Sequence, residues 1–452
     1  MRNKNRPLFY ENKKKTWPYV VFILITIVIL IIWGAQVPVI RQTLGRSVLD
    51  GISYGKSLIL PVSTVNPLNY RIQTYYPTLD LPSKEVIFAE NLEDINSSEP
   101  YLEITFTPTP TPGVLWVIED PEKSSTNDSA TLSEEVNDRL EMPIFEMADY
   151  LNDGPASLST FLRFCEKPES QYLVSEKIKP DYFDPNVSLN EMLSYSEQKY
   201  PDLSGIIRKN GNIQILASLI DSHFPVLIRL QYQRQQSAWK GDDLWDARYV
   251  VISGIDSKNK IVYFSDPLKG NEQTLSFDRL MEDWYPFRRE YLVIYPVDRE
   301  ESLALLLNSD WDEEENSKKA LEKFQTDVTM VPDNQFAWFN AAALLIENNH
   351  NEEAWDSFRT ALQVGIPQRY LLYDFSLYEA AFKNGLAEEL RDRTAAMLKI
   401  NNHSEENWLW NGWAYTLLQD RSEAEKCFRK VLDINPNNSD GQYAMEYLKQ
   451  YE

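Results

Sequence analysis

The residues with the most chemical potential in this chain are Asp153, at a predicted helix start, and Arg248 and Asp266, on two predicted strands downstream. The run Asn152-Asp153-Gly154-Pro155-Ala156-Ser157 leads into Leu158, Phe161, Leu162 and Cys165. Their i, i+3, i+4, i+7 spacing marks one face of an amphipathic helix. Asn152 or Asp153 is expected to cap that helix, and Pro155 falls in its first turn, where a missing N–H costs nothing. A side chain there lies beside free backbone N–H groups and the positive end of the helix dipole, so a cysteine would be a low-pKa nucleophile. The position holds an aspartate instead, a weak nucleophile toward amides. Arg248 stays protonated at neutral pH and cannot serve as a base. An arginine fork can, however, bond two acids at once.

Asn-Asp-Gly-Pro-Ala-Ser resembles the Asn-Cys-Gly-Pro-Ala-Ser/Thr motif that opens the central helix of C39-type, papain-like cysteine peptidases. Two further stretches resemble that family: Arg248-Tyr249-Val250-Val251-Ile252-Ser253-Gly254 and Ile261-Val262-Tyr263-Phe264-Ser265-Asp266-Pro267. The resemblance covers roughly residues 141–297. It implies that the nucleophile position is Asp153, the base position Arg248 and the oxyanion glutamine position Ala148, with only Asp266 of the family's set retained. In the family a thiolate attacks, an imidazole shuttles the proton and an acid orients it. With nucleophile and base both replaced, no catalytic residue is expected to be active. Because the family's Cys and His positions meet, the resemblance implies that Asp153, Arg248 and Asp266 form a carboxylate–guanidinium–carboxylate array; the alternative is that Asp153 merely caps its helix and Arg248 points into solvent. The resemblance also implies a cleft that binds peptides without cutting them, with Tyr232, Trp239, Trp245 and Tyr249 as peptide-binding candidates.

The elements needed to position these residues can be read in order. A Ser188 cap before a periodic apolar run starts a second helix, and Ile213–Ile220 reads as a third. Strands follow at 225–230, 248–253, 261–265 and 291–295, and 278–284 looks like the helix that domains of the resembling family insert before the last strand. Helices first and a meander of strands after is an α+β pattern, a helix packed on an antiparallel sheet. From Ala320 onward a period of about 35 residues appears. Trp338, Ala354, Phe358, Ala361 and Pro367 fit the tetratricopeptide pattern, as do Trp408, Gly412, Tyr415, Ala424, Phe428, Leu432 and Pro436. Three to four helical hairpins are expected, the one around 373–398 degenerate, stacked into a solenoid with a concave face suited to peptides or proteins.

Ahead of these lies a charge-free apolar run from Trp17 to Ala35, long enough to span a bilayer as a helix. Residues 1–16 carry six Lys and Arg against one Glu, although the whole chain carries −23. That asymmetry places the N-terminus in the cytoplasm. The acidic remainder argues against nucleic acid as a partner. Residues 36–140 are rich in Pro, Ser and Thr and include Thr107-Pro108-Thr109-Pro110-Thr111-Pro112, a semi-rigid spacer. Gly51-Ile52-Ser53-Tyr54-Gly55-Lys56-Ser57 is one residue short of a phosphate loop and is set aside. Cys165 and Cys427 form neither a disulfide framework nor a metal pair, and the three histidines show no ligand spacing. Cys165 is expected to be a core thiol, ~18 Å along the helix from its start.

The domain order expected is a basic tail (1–16), a membrane anchor (17–35), an extracytoplasmic stalk (36–140), a C39-like domain (141–299) and tetratricopeptide repeats (300–452). The function expected is peptide or protein binding at the cell membrane, through the cleft and the concave face, without a metal or cofactor. The alternatives are a divergent active hydrolase and a purely structural scaffold.

Overall fold

A computed structural model describes residues 137–239 and 242–449. The anchor, the proline-rich spacer and the near-miss phosphate loop all lie outside the described residues. Among the described residues no helix is long and apolar enough to cross a membrane. The single-pass membrane localisation expected from the sequence is corrected on that finding.

After a short strand β1 (Asn137–Arg139), helices α1 (Asp153–Phe164), α2 (Gln171–Ile178) and α3 (Leu189–Lys199) precede strand β2 (Leu203–Arg208) and helix α4 (Ile213–Asp221). Strands β3 (Val226–Gln233), β4 (Trp245–Asp256), β5 (Ile261–Asp266) and β6 (Gly270–Ser276) follow, then helix α5 (Phe277–Trp284) and strand β7 (Tyr291–Pro296). The sheet runs β2-β7-β3-β4-β5-β6, with β1 also paired to β4. Its pairings are antiparallel, the arrangement that the short connections from β4 through β6 permit. Strand alternation gives the sheet two apolar faces. One carries Leu227, Tyr249, Val251 and Leu292 against Leu158, Phe161 and Leu162 of α1. The other carries Ile228, Val250, Ile252 and Val293 against α4 and α5. Ser188 caps α3 with Glu191 reaching back, a capping box in line with the sequence expectation of a helix start there.

The repeats begin after α6 (Glu300–Leu307) with α7 (Glu313–Met330). They continue as pairs α8 (Gln335–Glu347) and α9 (Asn351–Val364), α10 (Ser376–Lys383) and α11 (Ala387–Ile400), and α12 (Glu405–Leu417) and α13 (Arg421–Ile434), ending in α14 (Ser439–Lys449). Residues at matching repeat positions do matching work. Trp338 Nε1 donates to the Pro332 carbonyl at 2.8 Å and Trp408 Nε1 to the Asn402 carbonyl at 3.0 Å, each six residues back. Ala354 and Ala424 are buried, as are Phe358 and Phe428. Gly412 is required by close approach, because a Cβ there would lie 2.3 Å from the Phe428 ring. The middle pair is the degenerate one, and the segment leading into it, Gln368–Leu372, is a 3-10 turn instead of a free loop.

Candidate functional site

The N-terminus of α1 abuts β4 at the residue after Arg248. Asp153 Oδ2 accepts the Tyr249 backbone N–H at 2.9 Å. Asn152 occupies the cap position without making a side-chain cap bond; its amide donates to Gln171 Oε1 at 2.9 Å instead. Neither residue therefore caps α1 in the manner expected from the sequence. Burial pushes the Asp153 carboxyl up to about 6, against the Tyr249 N–H and the Arg229 charge, which pull it down.

Arg248 and Asp266 meet directly. Arg248 Nε donates to Asp266 Oδ2 at 2.7 Å, with both side chains buried. The Tyr232 ring lies 4.9 Å from the guanidinium, and Arg248 Nη1 is buried without a hydrogen-bond partner. No ion pair joins Arg248 to Asp153 among the described residues, so the expected three-member array is present only as its Arg248–Asp266 half. The cation acting on Asp153 is Arg229, whose side chain stacks 4.3 Å over the Tyr249 ring. Arg229 donates to Asn186 Oδ1 at 2.9 Å, to the Val187 carbonyl at 2.6 Å and to the Tyr373 carbonyl at 3.1 Å. A charged residue inside the apolar run Val226–Leu230 needs such partners, and that demand is the available sequence signal for it.

The remaining candidates divide by burial. Ala148 is fully buried and donates its N–H to the Pro267 carbonyl at 2.8 Å. It carries no oxyanion donor side chain. Gln171 of α2, absent from the sequence candidates, bonds the Asp149 N–H and the Met147 carbonyl and so braces the entry to α1. Trp245 and Tyr249 are buried, and Tyr249 lines the small space beside Asp153. Trp245 packs 5.0 Å from Tyr370 and donates to Gln231 Oε1 at 2.8 Å, and Tyr249 Oη donates to the Val187 carbonyl at 2.8 Å. Tyr232 is half-buried and donates to Asp246 Oδ2 at 3.1 Å. Trp239 lies at the edge of the described residues, and its carbonyl accepts from Ser237 Oγ. Burial also raises the Cys165 and Cys427 thiols to about 12 each, so neither is a replacement nucleophile at neutral pH.

The space beside Asp153 is nearly filled. Gly154, Pro185, Val187, Ala247, Tyr249 and Tyr373 enclose about 10 Å³, close to the room one water needs. Tyr373 comes from the repeats. Its Oη donates to Asp246, Tyr370 Oη donates to the Pro286 carbonyl, and Arg288 holds Asp374 at 2.5 Å. The first helices of the hairpins also reach the sheet domain. Asn340 of α8 donates to the Tyr285 carbonyl at 2.8 Å, Lys209 pairs with Glu347 at 2.6 Å, and Asn186 donates to Glu406 of α12 at 2.7 Å.

The comparisons with known proteins divide along the same line. Residues 405–438 match the tetratricopeptide repeat family. Among solved structures the chain is similar to a C39-like peptidase from Bacillus anthracis, at 14% identity over 35% of this chain and 97% of that one, with a TM-score of 0.28. It is similar to a thermophilic tetratricopeptide repeat protein from Thermus thermophilus, at 16% identity over 34% and 81% of the two chains, TM-score 0.26. It is also similar to YrrB, a tetratricopeptide repeat protein with an unusual peptide-binding site, at 17% identity over 32% and 90%, TM-score 0.18. No curated protein matches the chain in sequence. The structural scores are low and carry no argument. The helix start abuts an antiparallel sheet, and the helical pairs that follow include the matched tetratricopeptide repeat at 405–438.

The raised Asp153 carboxyl has a consequence for stability. A carboxyl whose folded pKa lies above its unfolded value contributes stability that is fully present below the unfolded value and lost as pH rises through the folded one. For Asp153 that window runs from the ordinary value of 3.8 to about 6. Asp153→Asn keeps an oxygen for the Tyr249 N–H and cannot ionise. Thermal melts of the two proteins should therefore give nearly equal Tm at pH 4, with the variant gaining on the parent as pH rises to 7.

Proposed function

We propose that this chain is a peptidase-like protein that does not cleave, working in protein or peptide binding with its C39-like cleft covered by its own repeats. The observation that carries the reading is the state of Asp153: its carboxylate is committed to the Tyr249 N–H, with Tyr373 lining the same small space. Hydrolysis needs a nucleophile, a base within reach and room for a scissile bond. The neighbours of Asp153 are an amide, an arginine and aromatic rings, and the space admits about one water.

Helices α7, α8 and α12 and the loops around Tyr373, His403 and Asn435 contact the C39-like domain, so this face of the repeats holds part of this chain and not an external peptide. Binding of a separate partner then falls to the outward faces of α9, α11 and α13, where exposed charged residues alternate with the buried inner ones. A reading as an internal brace draws on the same contacts and predicts no partner at all. An array of peptides covering apolar, acidic and basic sequences, incubated with the full chain and read by both retention and mass, separates these cases. Retention with unchanged peptide masses is expected. Cleaved products, or no retention of any peptide, would contradict the proposal.

A further inference from the structure

Where the 178–191 stretch meets α12, four carboxyls are enclosed without an ion-pair partner. Asp184, Glu405 and Glu406 are each no more than 2% exposed, and Glu191 sits beside them in the capping box of α3. None of the four makes an ion pair among the described residues. Lys179 is buried with them, but its Nζ donates to the carbonyls of Asp181 at 3.1 Å, Tyr182 at 3.4 Å and Asp184 at 3.0 Å. Glu406 takes the Asn186 amide at 2.7 Å and the Ser404 hydroxyl at 3.1 Å. Glu405 Oε1 accepts from Asn435 at 3.2 Å, while its Oε2 is buried with no partner.

The charged groups facing this cluster are few. Arg229 of β3 acts on Glu406, and Asp153 of α1 acts on Lys179. Asp440 of α14 adds a further acid near Glu191. Asp181 is occupied by His403 at 2.9 Å. The Lys179 charge also acts on Asp184 and Glu405, yet acids still outnumber cations at this buried junction. An ionised carboxylate buried there without a partner costs several kcal/mol, and a second beside it costs more. The junction closes favourably only while some of these groups hold protons.

We propose that this cluster is a pH-sensitive latch between the C39-like domain and the repeats, closed while its carboxyls are protonated and loosened as they ionise. The latch requires the two parts to be docked but does not require the C39-like domain to be inactive. Its direction agrees with the individual groups. Burial, with the neighbouring acids next, raises Asp184 and Glu405, and Glu191 is raised to about 7. Stability from a carboxyl raised on folding is complete below its unfolded value and is lost as pH climbs through the folded one. The window opens near the ordinary glutamate value of 4.5 and extends to about 7 for Glu191.

Hydrogen exchange of the full chain at pH 5.5 and pH 8.5, corrected for the intrinsic rate, reads this directly. Amides of 179–188 and of α12 should exchange about tenfold faster at the higher pH, the change that one pKa unit of preferential protonation gives. Amides of β3 and β4 should change less. The quadruple variant Asp184→Asn, Glu191→Gln, Glu405→Gln, Glu406→Gln keeps the hydrogen-bond acceptors and should exchange alike at both pH values. Equal protection of the parent at the two pH values, or a quadruple variant that still loses protection, would overturn the latch. Should the variant not fold, the radius of gyration of the parent decides: growth between pH 5.5 and 8.5 supports the latch, and constancy overturns it.

Discussion

Replacing Arg288 by methionine is expected to destabilise the protein by about 3–5 kcal/mol, the cost of removing one partner from a buried ion pair. Arg288 bridges the two parts of the molecule. Its Nη1 meets Asp374 of the repeats at 2.5 Å, and its Nε meets Glu290 beside β7 at 3.1 Å. Arg288 and Asp374 are each no more than 2% exposed at the side chain. Without the guanidinium both acids stay buried, and Glu290 is already raised by burial. Urea denaturation should show the midpoint falling while the slope is retained. Because the loss is mostly the stranded charge, adding Asp374→Leu to Arg288→Met should recover part of it. A double variant no more stable than Arg288→Met would show that the pair is not what holds the junction.

Trp284→Ala should cost a similar amount, about 3–5 kcal/mol, for a different reason. Trp284 is fully buried in the core between β7, α4 and α5. Its Nε1 donates to the Glu290 carbonyl at 2.7 Å, and its ring meets Tyr291 edge-on at 6.4 Å. Truncation leaves a cavity and an unpaired carbonyl. The same ring is the reason residue 211 is glycine, since a Cβ there would fall 2.2 Å from it. Gly211→Ala alone should therefore overpack the core and cost about 1–3 kcal/mol. In the Trp284→Ala background it should cost less, because the obstructing atoms are gone. Thermal melts of the four proteins form the cycle, and additive losses would place the two residues out of contact.

These two positions show what the chain discloses on inspection and what it withholds. Helices α1, α3 and α4 and the strands containing Arg229, Arg248, Asp266 and Tyr291 are legible from their regular apolar runs, whereas the 278–284 helix is expected only from the family resemblance. The prolines at 332, 367 and 436 mark the ends of repeat helices for a local reason, their missing N–H. Strands β2 and β6 are not legible because Leu203–Arg208 and Gly270–Ser276 mix polar and apolar residues at the sheet edges, where no strong alternation is imposed. Helix α2 escapes notice because its inward residues Gln171, Val174 and Ile178 make a weak stripe, although Gln171 braces the site. The site itself is half legible. Arg248 and Asp266 meet, but the cation on Asp153 is Arg229, and the covering residue is Tyr373. Nothing periodic links residue 153 to residue 373. The link is a docking of two distant segments, and it is written in paired polar contacts that only the folded chain brings together.

The account depends on the α1 start being enclosed by the repeats, and the accessibility of that position tests it most directly. With Cys165 and Cys427 replaced by alanine, Asp153→Cys supplies a single thiol whose alkylation rate can be followed in the native protein. The rate should be far below that of the same thiol in urea, and adding Tyr373→Ala should raise it without unfolding the chain. A thiol at position 153 that reacts in the native protein as fast as it does unfolded, with Tyr373 in place, would contradict the closed cleft and the non-cleaving role built on it.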